Sequence, residues 1–110
     1  MPLTVYGLKN CDTCKKALNA LEAAGKSVTF VDIRAEADLA AKVPAWLSAA
    51  GPDKLVNKRS TTWRNLSETE RNIDPAALLT ANPTLIKRPV IEDGDNVHVG
   101  WAKDVAGALT

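Results

Sequence analysis

The stretch Tyr6-Gly7-Leu8-Lys9-Asn10-Cys11-Asp12-Thr13-Cys14-Lys15-Lys16 decides the reading of this chain, because it sets two cysteines where an extended segment gives way to a helical one. Upstream, Leu3-Thr4-Val5-Tyr6 alternates and is rich in strand formers, and Gly7 opens a loop. Downstream, Ala17, Leu18, Leu21 and Ala24 recur at helical spacing, and Gly25 offers a C-terminal stop. Ser27-Val28-Thr29-Phe30-Val31-Asp32-Ile33 then reads as a strand whose apolar run suits a central place in a sheet. Strand, helix and strand within about 33 residues have the size of a right-handed parallel βαβ unit.

Cys11 and Cys14 are the only cysteines. A disulfide scaffold would spread its cysteines to close long loops, and a structural zinc site needs four ligands, which the single histidine, His98, cannot complete. No metal is therefore expected, and a Cys-x-x-Cys pair beside a βαβ pattern points to redox chemistry. A thiol attacks as its thiolate, and a helix start favours negative charge through its unpaired N–H groups and dipole. Lys9, Lys15 and Lys16 add positive charge while Asp12 opposes it. Such settings lower a cysteine pKa into the range of about 3.5–7.5. Cys11, nearer the N-terminus, is the expected nucleophile; Cys14, one turn on, is the candidate resolving thiol, able to close a disulfide with it. The competing reading is a buried, inert pair, since free cysteine is among the most buried residue types.

With 14 basic against 13 acidic residues in 110, the chain lacks the basic excess on which non-specific nucleic-acid or membrane binding relies. No apolar run approaches the roughly 20 residues that span a bilayer, and the first residues read as a strand rather than a signal peptide. A cytoplasmic, single-domain protein over 1–110 is expected, without direct nucleic-acid or membrane partners. Nothing suggests a heptad seam or an extended exposed edge, so a monomer is expected.

Beyond the first unit, residues 38–50 read as a helix with Leu39, Val43, Trp46 and Leu47 on one side and Pro44 near its start or kinking it. Gly51-Pro52 stops it. Ser67-Glu68-Thr69-Glu70 has capping-box spacing, and Asp74-Pro75 is a helix start. Arg88 to Glu92, a turn over 93–96, and Val97 to Trp101 form a hairpin, and Lys103 to Leu109 a closing helix. The fold class is α/β: a thioredoxin-like (glutaredoxin-like) βαβ…ββα core with an all-helical insertion at about 38–83.

Lys87-Arg88-Pro89 heads the first hairpin strand. In a thioredoxin-like core a proline here is usually cis and packs opposite the active cysteine, placing its neighbour beside the sulfur. A guanidinium there could hold an oxyanion or carboxylate in two-pronged fashion. An ordinary trans proline opening a strand, with Arg88 solvated, fits the residues equally.

These anchors resemble the arsenate reductase (ArsC) family of the glutaredoxin-coupled type, closest to its YffB-like branch. The resemblance runs the full length, through residues 6–17, Asp32-Ile33-Arg34, Leu55 to Arg64, Arg88-Pro89-Val90-Ile91 and Val99-Gly100-Trp101. It implies a catalytic cysteine at Cys11 and an arginine before a cis proline at Arg88-Pro89. Family arsenate reductases attack arsenate with that cysteine, release arsenite with glutathione and glutaredoxin, and hold the oxyanion with three arginines. Here Asn57 stands where the first falls, with Arg59 two residues on; near Gly100-Trp101 the third has no counterpart. One clean arginine is few for a multiply charged oxyanion.

The resemblance therefore favours a glutathione-dependent thiol reductase, with no bound cofactor, glutathione as co-substrate, and glutaredoxin as a further candidate partner. Arsenate reduction is the alternative. Lys9, Asn10, Arg34, Asn57, Arg59, Arg64 and Pro89 are the substrate-binding candidates, joined by Lys58; for the basic ones a solvated face is the competing reading. Spx-type regulators, which bind RNA polymerase, share the fold, the Cys-x-x-Cys and the Arg-Pro, and imply a redox-sensing alternative. His98 is expected to face solvent. Trp63 is assigned to packing of the insertion or to the thiol site, Trp46 and Trp101 to packing. Glu68, Glu70, Asp93 and Asp95 read as cap and turn residues.

Overall fold

The computed structural model describes residues 3–110. Contacts divide the chain into two compact units: residues up to Ala37 together with Arg88–Thr110, and Asp38–Lys87.

The first unit holds β1 (Leu3–Gly7), α1 (Asp12–Ala23), β2 (Val28–Asp32), β3 (Val90–Asp93), β4 (Asn96–Val99) and α7 (Lys103–Leu109). Its four-stranded sheet has the order β2-β1-β3-β4. β1 runs parallel to β2 from Leu3↔Val28 to Gly7↔Asp32, and antiparallel to β3 through Val5↔Ile91. This is the α/β, thioredoxin-like βαβ…ββα arrangement.

β2 is an edge strand, not a central one. The returning hairpin adds to the opposite side of β1, so β1 and β3 take the centre. Thr29 is accordingly exposed, and the other β2 residues are only partly covered. Gly7, expected in a loop, is instead the last paired residue of β1.

The core of this unit is Leu3, Val5, Leu21, Ile91, Val105 and Leu109, with Leu18, Val28, Phe30 and Trp101 packed against it. Trp101 is thus a packing residue. His98 pairs with Ile91, which pairs with Val5, so it stands on the face of the sheet that carries the core. It is half-buried there, contrary to the solvent-facing place that simple alternation suggests. α1 presents Cys14, Ala17 and Leu21 as its buried stripe. Its C-terminus is closed by Gly25 at φ +79°, with Gly25 N–H donating to Glu22 O and Lys26 N–H to Leu21 O, both 3.0 Å. These two bonds satisfy carbonyls that the last turn would otherwise leave open.

The second unit is α2 (Leu39–Ala50), α3 (Pro52–Leu55), α4 (Thr61–Asn65), α5 (Glu68–Arg71), α6 (Pro75–Ala81) and a 3₁₀ turn (Pro83–Leu85). Asp38 caps α2 by accepting from Ala41 N–H, and Pro44 lies inside the helix, where it has no N–H to give the ladder. Trp46 is fully buried, as are Val43, Leu55, Leu79, Leu85 and Ile86. α2 packs against α3 and α6, and α6 against the 3₁₀ turn. The unit runs on to Lys87 because its end is tied back to α3. Asn57 N–H donates to Leu85 O and Lys87 N–H to Leu55 O, both 2.8 Å, around a Val56–Ile86 bridge.

The capping box at α5 is complete: Ser67 Oγ accepts from Glu70 N–H (3.1 Å), and Glu70 Oε1 from Ser67 N–H (3.0 Å). Among the described residues no helix is long and apolar enough to cross a membrane.

Candidate active site

After Gly7 the chain turns over Leu8 to Asn10, and Cys11 N–H donates to Leu8 O (3.1 Å) to close that turn. Cys11 itself is the N-cap of α1, with extended backbone (φ −89°, ψ 119°). Its carbonyl accepts the first helical bond, from Lys15 N–H at 3.0 Å. The sulfur thus stands where a serine or aspartate oxygen would cap the helix. It makes no full capping bond. The Cys14 amide, at the third helical position, nonetheless acts on it as a donor.

The two thiols differ sharply. Cys11 is half-buried, Cys14 fully so, and both are free. Partial burial works against ionisation of Cys11. The Cys14 backbone N–H, the Cys14 thiol and the guanidinium of Arg88, by hydrogen bond and by charge, together outweigh it and hold the Cys11 thiol below its ordinary value. Burial pushes the Cys14 thiol up, the backbone N–H of Leu8 opposes this in part, and the neighbouring Cys11 adds to it, so that Cys14 is raised to about 11. One sulfur is prepared to be a thiolate and the other to remain a thiol.

Arg88 reaches this site from the head of β3. The Arg88–Pro89 peptide bond is cis, and Pro89 is fully buried. Pro89 O accepts from Gly100 N–H at 2.8 Å, which anchors the segment to the far side of the hairpin. Pro89 is therefore buried scaffold next to the arginine, and it lines none of the cavities described below.

Lys9, Asn10 and Arg34 come together. With Leu8, Asp32 and Ala35 they line a cavity of about 410 Å³ on the loop that leads into Cys11. That volume is in the range of small-molecule sites, roughly 300–1,000 Å³. Asp32 shapes its floor: Asp32 Oδ1 accepts from Arg34 N–H (2.8 Å) and Ala35 N–H (3.0 Å), fixing the turn after β2. Asn57 and Arg59 lie in the second unit, where they line a separate cavity of about 400 Å³ with Asp53, Lys54, Val56, Lys58 and Lys87. Asn57 Oδ1 accepts from Arg59 N–H (3.1 Å), so its side chain supports its own turn. Arg64 is exposed on α4 and lines neither cavity.

Trp63 has Lys58 at 5.7 Å and Arg71 at 5.1 Å from its ring centroid, and its carbonyl accepts from Arg71 Nε and Nη2. These contacts hold the insertion's own short helices together. Two participants escape a reading of the residues: Asp32, whose role as a turn cap depends on where β2 ends, and Gly7. A Cβ at Gly7 would lie 2.5 Å from Cys14 Sγ. Only a glycine immediately before the cysteine loop hinted at it. Among the described residues no three His, Cys, Asp or Glu side chains cluster as a metal site.

Fold and site together define a thioredoxin-like domain whose first helix begins on a cysteine faced by the arginine of a cis Arg-Pro. The chain belongs to the ArsC family, whose profile matches residues 6–109. It is 49% identical over 104 residues to an uncharacterized protein of Haemophilus influenzae, covering 90% of each. The solved structure of a YffB protein superposes with a TM-score of 0.88 at 31% identity, covering 97% of both chains. The global transcriptional regulator Spx of Staphylococcus haemolyticus is 26% identical, over 93% of this chain and 82% of Spx.

Proposed function

We propose that the protein is a thiol-dependent oxidoreductase of the cytoplasm that reduces glutathione mixed disulfides, with Cys11 as nucleophile. The observation that carries this reading is the contrast between the two sulfurs: Cys11 is accessible, faces Arg88 and is held below its ordinary pKa, whereas Cys14 is sealed. The cavity lined by Lys9, Asn10 and Arg34 supports an anionic thiol substrate, since two cations and an amide can receive the carboxylates of a small peptide.

In the proposed reaction the Cys11 thiolate attacks the glutathione sulfur of a mixed disulfide. A Cys11–glutathione disulfide forms, and the substrate leaves as a thiolate that takes a proton. The thiolate of a second glutathione then attacks the glutathionyl sulfur, regenerating the Cys11 thiolate and releasing oxidised glutathione. The substrate gains two electrons and two glutathione units are joined. Cys14 contributes little as the resolving thiol. It is fully buried, and burial holds its thiol above the ordinary value.

Cys11→Ser is expected to abolish glutathione-dependent reduction of a model mixed disulfide, while Cys14→Ser keeps most of it. Full turnover by the Cys11→Ser protein would end the assignment. Arsenate is a poor fit, because Arg88 alone of the family's three arginines stands in place. A coupled assay with glutathione and glutaredoxin should yield arsenite near background, and robust arsenite formation would reverse this.

The match to Spx across most of both chains favours one second reading, a redox-sensing regulator. Capture of the RNA polymerase α-subunit that depends on the oxidation state of the cysteines would support it; no capture in either state would leave the reductase.

A further inference from the structure

We infer that Gly7 is a positioning residue for the Cys11 sulfur, acting through Cys14: the absent side chain at the end of β1 is the space in which the Cys14 side chain lies, and so sets the height of the first turn of α1. This rests on Cys11 being the reacting thiol, and it adds a residue outside the Cys-x-x-Cys segment to the machinery.

Nothing in the backbone asks for glycine here. Gly7 pairs with Asp32 in the ladder, its carbonyl accepts from Ile33 N–H at 3.0 Å, and it is not among the glycines with positive φ. Space asks for it. A Cβ built on Gly7 would stand 2.5 Å from Cys14 Sγ, 3.3 Å from Cys14 Cβ and 3.6 Å from the Phe30 ring. The first distance is far inside contact, and the second is tight as well, so turning the sulfur to another rotamer relieves only part of the overlap.

Cys14 has no room to retreat. It is 0% exposed and opens the buried stripe Cys14, Ala17, Leu21 by which α1 packs. A methyl group at position 7 must therefore lift the first turn of the helix, or push Cys14 across it. That turn carries Cys11 at its N-cap, and both the amide and the thiol of Cys14 act on the Cys11 sulfur. A change at the end of a strand is thereby delivered to the nucleophile without touching it.

The test is the pH dependence of iodoacetamide alkylation at Cys11, followed by mass spectrometry in the wild type, Gly7→Ala, Cys14→Ala and the double variant. The wild type is expected to show a midpoint below that of an ordinary thiol. Gly7→Ala should move it up by about one pH unit, slowing alkylation about tenfold at pH values well below both midpoints. In the Cys14→Ala background the same Gly7→Ala change should have a much smaller effect, because the sulfur it collides with is gone and only the 3.3 Å contact with the Cβ of residue 14 remains.

An unshifted midpoint in Gly7→Ala, with the wild type still low, overturns the inference and leaves the proposed function standing. An ordinary midpoint in the wild type overturns both. If Gly7→Ala alone fails to fold, a folded Gly7→Ala/Cys14→Ala protein supports the coupling, and a double variant that also fails to fold refutes it.

Discussion

Two kinds of group favour a thiolate at Cys11: the donors supplied by Cys14, which come with the helix, and the guanidinium of Arg88, which comes from a strand more than seventy residues away. The guanidinium is the one that can be removed without unmaking the turn. Arg88→Gln is expected to raise the midpoint of Cys11 alkylation toward that of an ordinary thiol. Arg88→Lys should recover only part of the difference, because an ammonium returns the charge and not the planar fork. Equal midpoints in all three proteins would show that Arg88 does not act on the sulfur. Cys11 at a helix start was legible from its local motif, whereas Lys87-Arg88-Pro89 by itself fitted a solvated arginine equally well. The contrast between Cys11 and Cys14 was not legible: a spacing of three places both on one helical turn and does not say which lies against the sheet. Asn57 and Arg59 were grouped with Lys9 and Arg34 through the resemblance, which sets Asn57 where the family's first arginine falls, yet the chain places them in the second unit, around a cavity of their own.

At the scale of the element, the ends were the most legible feature, because capping is chemistry between residues two to five apart. Ser67–Glu70, Asp74–Pro75 and Gly25 all stop or start helices where their spacing says they should. Gly25→Ala is a direct check. At φ +79° an added Cβ is strained, and the substitution should cost about 1 kcal/mol, read as a lower urea midpoint with unchanged slope. A midpoint unchanged or raised would mean that the closing turn relaxes freely. Strand positions were less legible. The apolar run of β2 reads as central, but which strand is an edge depends on where the hairpin adds. His98 went astray for the same reason: alternation separates two faces without telling which one carries the core.

For the whole molecule the cysteines make a prediction about stability. The unfolded chain loses the Cys14 proton near the ordinary value of 9.0, whereas the folded protein keeps it to about 11. Stability from this residue is therefore complete below pH 9 and falls as pH rises from there toward 11. Cys11 works in the opposite sense and lower on the scale: ionising first in the folded state, it adds stability as pH rises toward 9. The stability of the wild type relative to Cys14→Ala, from urea unfolding at pH 8, 9 and 10, should shrink as pH increases. A difference that stays constant would show that Cys14 ionises alike in both states.

Short-range physics was enough to read most helices and strands, the N-cap site of Cys11 and the chemistry that it offers, because propensity, capping and helix-end electrostatics act within a turn or two of chain. The edge place of β2, the burial of Cys14, the meeting of Arg88 with Cys11 and the need for an empty position at residue 7 belong to the tertiary structure. Each depends on which surfaces the chain presses together, and excluded volume between segments distant in sequence leaves no periodic trace in either of them.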